Sequence, residues 1–474
     1  MGQPHHHGVK IIEQCSISPP PDSVPQTSIP LTFFDLPWFY LHPIQRIFFY
    51  ELPQPTTTNQ ILQTVVPTLK HSLSLTLQHF FPFAGNILVP LHPGNFPYIL
   101  YSDGDSVSFT VAESHEDFNN FVANAPTHLR DLNLLAPVFP SPLTTQDGGK
   151  LLPLMAVQIT VLPNYGFSMC VGFNHVVADG RAFHHFIKFW ASVCRTRGED
   201  MDSVKESLQL PLHNRDAIED WRGLKLVFLE ELSSSFTKIV KSFGILVDVP
   251  SDKVRFTFTL SREQVEKIKK WIYLECKKMG LSTESLIIST YVVTCSLLWV
   301  CMVKYYYINT DAYETCKFTF PADCRNCGEL SIPSTYFGNC LSRPVVELEK
   351  GKLVVENGIV EAAIAIESKI REFKCDGLKE IEDLMTHFNE LGTSEECRVI
   401  AIGSAKHDVY ETDFGWGKPK KSDVIHVLHS RVFSLCDSKD DNGGVEIGLT
   451  LERSEMENFN TILKEHITSI IGCD

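Results

Sequence analysis

Positive charge is what this chain is short of. Its 474 residues carry 42 Lys and Arg against 57 Asp and Glu, a formal net charge of −15. A general nucleic-acid binder needs a basic face for phosphates, so that class is excluded. Any anionic ligand must then be met by a local cluster of Lys or Arg. Long apolar runs are also scarce. The one uncharged stretch near the roughly 17–25 residues that a bilayer span needs is 285–303, bracketed by Glu284 and Lys304 and broken by Ser289, Thr290, Thr294, Cys295 and Ser296. It reads as a buried core helix. The basic-then-apolar pattern of a secretory leader is missing, and His5-His6-His7 reads as a disordered tail. The expectation is a soluble cytoplasmic protein with no membrane partner.

Several enzyme signatures are missing as well. There is no P-loop, dinucleotide fingerprint, G-x-S-x-G elbow or H-E-x-x-H, which removes the classes built on them. Cys324-Arg-Asn-Cys327 is a lone C-x-x-C without a second pair or a spaced His, so no metal site is expected. The 14 cysteines sit mostly in apolar segments, as at Cys170, Cys194, Cys295 and Cys301. They read as free buried thiols of a reducing compartment.

What is present is ordinary globular composition, 43% hydrophobic and 21% charged, over a length that predicts two domains of roughly 200 residues each. Residues 1–25 are Pro-rich and read as irregular. A strand is predicted over 42–50, then a helix from Thr58 to Phe81 interrupted near Pro67. Strands follow at Ile87–Val89, Tyr98–Tyr101, Val107–Val111 and Leu154–Val161. A polar stretch from 196 to about 251 reads as the crossover between domains. Beyond it come strand Val254–Leu260, the capping box Ser261-Arg-Glu-Gln264 and a helix ending at Gly280. Strands Arg431–Cys436 and Val445–Leu451 flank a turn, and Ser454-Glu-Met-Glu457 opens the last helix, stopped by Gly472. Strands and helices mix in both halves, so the class is α/β. The division expected is 1–205, a linker over 206–250, and 251–474.

Phe167, Met169, Val171 and Phe173 alternate with polar or small residues, a half-buried strand. Phe183, Phe186, Ile187, Trp190 and Cys194 then recur at helical spacing. Between them stands His175-Val-Val-Ala-Asp179-Gly180. A histidine at a strand-to-helix turn can face a cleft and move protons at neutral pH, a candidate general base. A hydrogen-bonded core histidine is the other reading. Asp179 sits where a helix N-cap belongs, or could pair with a buried Arg, and neither requires contact with His175. Asp413-Phe414-Gly415-Trp416-Gly417 makes a tight loop that displays an indole, or a turn with a packed aromatic. Tyr336-Phe337-Gly338-Asn339-Cys340 is, by itself, a Gly turn.

Taken together, H-x-x-x-D at 175–179, D-F-G-W-G at 413–417 and Y-F-G-N-C at 336–340 resemble the plant BAHD acyltransferases, which move acyl groups from coenzyme A thioesters to hydroxyls or amines. The resemblance runs from Leu31 to the final helix. Y-F-G-N-C, Pro43–Tyr50 and Ser282-Thr283 are similar to the branch that acylates flavonoid and anthocyanin glycosides, often from malonyl-CoA. One departure is Gly403-Ser404-Ala405-Lys406-His407, where members often carry Gly-Ser-Pro-basic-Phe.

The resemblance implies two similar-sized chloramphenicol-acetyltransferase-like domains with a channel between them. It implies acyl-CoA as co-substrate and no bound cofactor. His175 would lie mid-channel as the base, with Asp179 turned away to pair with Arg325. Asp413 and Gly415 would hold a loop, Trp416 would donate its indole N–H to the oxyanion, and Ser282 and Thr283 would meet coenzyme A. A malonyl donor also needs a cation for its carboxylate. Arg181 is the nearest candidate in sequence, Arg46 the second, and a solvated helix residue is the alternative for Arg181. The activity expected is direct transfer, by a monomer, of a malonyl group to a sugar hydroxyl of a phenolic or flavonoid glycoside. Hydroxycinnamoyl or acetyl transfer to another alcohol or amine, or non-catalytic binding of a small phenolic, are the alternatives.

Overall fold

The computed structural model describes residues 8–91, 96–243, 249–307, 311–327, 330–377, 379–390 and 397–472; the His5–His7 run lies outside them. The strands of its two large sheets are β1 (Val9–Ile17), β2 (Ile44–Glu51), β3 (Val107–Ser114), β4 (Thr127–His128), β5 (Met155–Leu162), β6 (Gly166–Phe173) and β7 (Lys253–Leu260). They continue with β8 (Thr315–Thr319), β9 (Val345–Glu349), β10 (Arg398–Gly403), β11 (Lys421–Val424), β12 (Val432–Asp437) and β13 (Val445–Glu452). The long helices are α1 (Thr58–Leu77), α2 (Gly180–Arg195), α3 (Arg262–Lys278), α4 (Thr290–Tyr306), α5 (Gly358–Asp376) and α6 (Arg453–Ile471).

The first sheet runs β1-β3-β5-β6-β2-β11 and the second β9-β8-β10-β12-β13-β7-β4. Each large sheet thus carries a strand from the other half of the chain. β11 crosses to pair antiparallel with β2, and β4 crosses to pair with β7. Arg255 on β7 reaches Asp423 on β11 through Nε and Nη2, at 2.9 and 2.7 Å, with both side chains buried. The sequence division at 205 and 251 therefore has strands woven across it.

Helices α1 and α2 cover one face of the first sheet around Trp190, Leu69 and Phe186. The other face packs Ile47, Phe49, Cys170 and Leu162 into a smaller cluster. β6 is consequently buried on both faces, where alternation alone predicted one. In the second half, α4 is buried from Val292 through Val303, as the uncharged run suggested. Among the described residues no helix is long and apolar enough to cross a membrane.

Other elements depart from expectation. The N-terminal stretch is not irregular, because β1 adds antiparallel to the edge of β3. Helix α1 passes through Pro67 without stopping. Proline removes one N–H from the ladder, and burial of Ile61, Val65, Leu69 and Leu73 along one face holds the helix on both sides of it. Residues 196–251 include helices Met201–Leu208, Leu224–Ser233 and Phe236–Ser242, and Phe228, Leu229 and Leu232 enter the first core. The capping box at Ser261 and Gln264 forms as read, but the last helix is capped by Glu452 and Glu455 rather than from Ser454. Cys316 on β8 is bonded to Cys397 just ahead of β10, so the thiols are not all free; β8 and β10 are neighbouring parallel strands, which brings the two together.

Burial alone would raise the Asp423 carboxyl, but Arg255 and Lys421 outweigh it and hold its pKa below the ordinary value. Replacing Asp423 with Ala leaves a buried guanidinium without its counter-charge, a loss of about 3–5 kcal/mol. Urea unfolding of Asp423→Ala should show that drop, and an unchanged midpoint would mean that the woven strands hold without the pair.

Candidate active site

The His175 turn is built locally. β6 ends at Phe173, and Asn174 then folds the chain back through its side-chain oxygen, which accepts the N–H of Val176 at 3.0 Å. At the far side Asp179 caps α2, its Oδ1 accepting from the N–H of Ala182 at 2.9 Å. His175 is lifted off the sheet end between these two anchors and is half-buried.

Its ring is fixed on three sides. Trp38 stacks face to face with the imidazole, centroids 3.7 Å apart and planes 7° apart. The Nδ1 atom lies 3.0 Å from Oδ1 of Asn339. The Asn339 amide nitrogen donates to the carbonyls of His175 and Val176 and to Oδ1 of Asp35, at 2.8, 3.1 and 3.0 Å. These three acceptors set which way the amide points, so its oxygen faces the ring and Nδ1 carries the proton. That leaves Nε2 as a lone pair, with no hydrogen-bond partner among the described residues. Burial pushes the imidazole pKa down to about 4, against smaller opposing effects of Asp179 and Asn339. At neutral pH the ring is an uncharged proton acceptor with one open nitrogen.

Behind Asn339 the chain of contacts continues. Asp35 accepts from the N–H and hydroxyl of Thr32 at 2.8 and 2.9 Å, and Nη1 of Arg215 lies 3.7 Å away. Arg215 donates to the Tyr336 hydroxyl at 2.7 Å. A Cβ on Gly338 would collide with Arg215, which is why the Y-F-G-N-C segment needs glycine there. The same segment receives Asp179: the Gly338 carbonyl accepts its N–H at 3.3 Å, and its Oδ2 accepts the N–H of Cys340 at 3.2 Å. Asp35, Trp38, Arg215 and Asn339 were not singled out from sequence. Only Asn339 lies in a segment, Y-F-G-N-C, that stood out, and Arg215 falls in the stretch read as the crossover between domains.

Asp179 does not touch His175. Its Oδ2 forms a buried pair with Nη2 of Arg325 at 2.8 Å, while Arg325 also holds Asp323 at 3.0 Å. Asp179 is thus both helix cap and ion-pair partner. Arg181 spends its guanidinium on Asp323 at 3.3 Å and is half-exposed, so the nearest cation in sequence is already neutralised. Arg46 is buried and donates to Ser422 at 3.0 Å. His407, at the departure from the Gly-Ser-Pro-basic-Phe pattern, stacks on His184, and its Nε2 faces Gly180 at the start of α2. Ser282 is exposed and Thr283 partly so, in the loop between α3 and α4, apart from the contacts just described.

The expectation for Trp416 is corrected. Its ring packs edge-on to Phe167 at 5.7 Å, and Gly415 lies against Arg195. Phe167 is near the start of β6 and Arg195 ends α2, whereas His175 sits at the opposite end of both. The six steps from Phe167 to Phe173 alone span about 20 Å. The indole N–H therefore does not reach an oxyanion beside His175. Asp413 holds the loop, its Oδ1 accepting from the N–H groups of Gly415 and Gly417 at 2.7 and 2.9 Å. Both glycines adopt positive φ, 105° and 95°.

A family model described as "Transferase family" matches residues 7–465. Among curated proteins, the chain is 36% identical to coumaroyl-CoA:anthocyanidin 3-O-glucoside-6''-O-coumaroyltransferase 1 of Arabidopsis thaliana, over 98% of both chains. It is equally 36% identical to a malonyl-coenzyme:anthocyanin 5-O-glucoside-6'''-O-malonyltransferase of Salvia splendens, over 98% of this chain and 96% of that one. Among solved structures, vinorine synthase superposes with TM-score 0.67 at 18% identity, covering 95% of this chain and 96% of that one. The F. sporotrichioides TRI101 complex with coenzyme A and T-2 gives TM-score 0.64 at 15% identity, over 92% and 97%. These two share the fold over nearly the whole chain.

Asn339→Ala should lower kcat/KM about 10- to 100-fold, as the loss of an orienting partner does, whereas Trp416→Phe should leave kcat/KM near wild type and lower thermal stability. The reverse ranking would return Trp416 to the reaction centre. The depressed imidazole also sets the acid limb: kcat/KM should stay flat as pH falls through 6.5 and decline only towards about 4. A limb near 6.5 would mean that the ring titrates as an exposed histidine.

Proposed function

Since the chain belongs to the BAHD transferase family and is an acyl-CoA-dependent acyltransferase, we propose that it transfers an acyl group to a sugar hydroxyl of a phenolic or flavonoid glycoside, with His175 as general base. The observation that carries this reading is the open Nε2 of an imidazole whose Nδ1–H is tied to Asn339.

The steps follow from that geometry. The acceptor hydroxyl gives its proton to Nε2 as its oxygen bonds to the thioester carbonyl carbon. The imidazolium so formed keeps its Nδ1–H on the Asn339 amide oxygen, while the amide N–H of Asn339 donates to Asp35 at 3.0 Å. The tetrahedral intermediate then breaks its C–S bond, and the proton returns from Nε2 to the coenzyme A sulfur. Direct transfer is favoured because no sequence motif sets a base beside a Ser or Cys as an activated nucleophile. The thiols of Cys170 and Cys194, on the same strand and helix, are pushed up by burial to well above neutrality. Ser282 and Thr283 are proposed to meet coenzyme A at the α3–α4 loop.

Malonyl is the acyl group proposed, in line with the malonyltransferase relatives from Salvia splendens and Dahlia pinnata at 36% and 33% identity. A hydroxycinnamoyl donor is the second reading, favoured by two coumaroyltransferase relatives at 36% and 35%. A coenzyme A release assay with a flavonoid glucoside, run over malonyl-, coumaroyl- and acetyl-CoA, decides between them. The expected outcome is highest kcat/KM with malonyl-CoA, and a fall of about 10²–10⁴-fold in kcat for His175→Ala with the fold intact. No release from any donor, or full activity without the imidazole, would overturn the proposal.

A further inference from the structure

Among the described residues, four buried arginines have polar partners. Arg255 meets Asp423, Arg325 meets Asp179, and Arg215 faces Asp35. Arg46 donates to Ser422 and Cys436. Arg343 has none of this. It is 6% exposed, and among the described residues its guanidinium has no carboxylate partner and no hydrogen bond. The ring of Phe388 lies 4.8 Å from the guanidinium carbon.

Its position is informative. Phe388 packs edge-on to Trp38 at 5.1 Å, and Trp38 stacks on His175. Arg343 follows Cys340 by three residues, so the segment that ties Nδ1 of His175 also delivers this cation. It is close enough that its charge opposes protonation of His175. Its nitrogens are not among the fully sealed polar atoms of the interior, so this nearly buried guanidinium keeps a small exposed edge. Burial and Arg398 lower its pKa to about 10, which leaves it charged at neutral pH. A buried charge without a partner is strongly unfavourable, and a site that tolerates one is built for an incoming anion.

We propose that Arg343 binds the terminal carboxylate of a dicarboxylic acyl group on coenzyme A, malonyl being the smallest fit to the proposed function. This rests on the acyl-transfer reading above and replaces Arg181 as the donor-selecting cation. In a malonyl thioester the carboxylate is one methylene from the carbonyl that is attacked, so its cation must lie near the base; Arg343 is joined to His175 through the rings of Phe388 and Trp38, whereas Arg181 is bound to Asp323. The guanidinium fork suits a two-point grip on a carboxylate, and the Phe388 face holds its other side.

The test compares malonyl-CoA with acetyl-CoA, which share the coenzyme and its phosphates and differ only in that carboxylate. In Arg343→Met the ratio of kcat/KM for malonyl-CoA to that for acetyl-CoA should fall about 10- to 100-fold, and Arg343→Lys should fall between. A second reading needs no turnover. Because no described residue pairs the charge, Arg343→Met should melt at a higher temperature than wild type, and malonyl-CoA should stabilise wild type more than the variant. An unchanged ratio, or a lower melting temperature, would make Arg343 a structural partner of Phe388 and overturn the assignment. Loss shared equally by both thioesters would also overturn it, placing the cation on the coenzyme phosphates. If wild type turns over acetyl- or coumaroyl-CoA but not malonyl-CoA, the malonyl reading falls and this assignment with it. If malonyl-CoA is used and the ratio stays put, only the assignment falls.

Discussion

The hydrogen bond between His175 Nδ1 and the Asn339 amide is the contact on which the rest of this structure depends. It chooses the tautomer, and the tautomer decides whether the open nitrogen can accept a proton. The two partners are 164 residues apart in the chain. His175 comes from the end of β6 in the first sheet, and Asn339 from the Gly turn that precedes β9. The state of Nε2 is thus set by contacts drawn from both halves of the chain.

Much of the remaining architecture serves that docking. The Asp179–Arg325 pair joins the start of α2 to the segment leading into Y-F-G-N-C, so the turn carrying His175 and the turn carrying Asn339 are tied together. Asp35 and Arg215 close the far side, leaving the amide no alternative orientation. The exchange of β11 and β4 between the sheets, with Arg255 on Asp423, repeats the arrangement at larger scale. Buried charged pairs of this kind are weak sources of net stability but severe when halved. Here they specify one way for the halves to meet. The D-F-G-W-G loop belongs to the same scheme, since it packs Trp416 and Phe414 against the distal ends of β6 and α2 and fixes the strand–helix unit from behind.

Sequence periodicity made the strand–turn–helix around His175 legible, because hydrophobic spacing changes from two to helical on either side of the turn. The capping box at Ser261 was legible for a local reason also. What local pattern does not carry is long-range pairing. β1 is mostly exposed, and its partner β3 lies about a hundred residues on, so its Pro-rich surroundings read as coil. Pro67 looked like a break because the packing of α1 on the sheet, which overrides the lost hydrogen bond, is tertiary. Asn339 looked like a turn residue because its amide acts on elements far away in the chain. Trp416 was drawn to the oxyanion by a motif that names residues without giving distance, and the length of β6 rules that placement out. The bond between Cys316 and Cys397 depends on two parallel strands that nothing in cysteine spacing joins.

The central claim is that His175 is held as the Nδ1–H tautomer with an unprotonated Nε2 at the reaction centre. Nitrogen-15 NMR of histidine-labelled protein, with the His175 resonances assigned by difference from His175→Gln, reads this directly. The account predicts a protonated Nδ1 and an unprotonated Nε2 at neutral pH, with both shifts constant until the pH falls towards about 4. A proton on Nε2 at neutral pH, or two-nitrogen titration near 6.5, would contradict it.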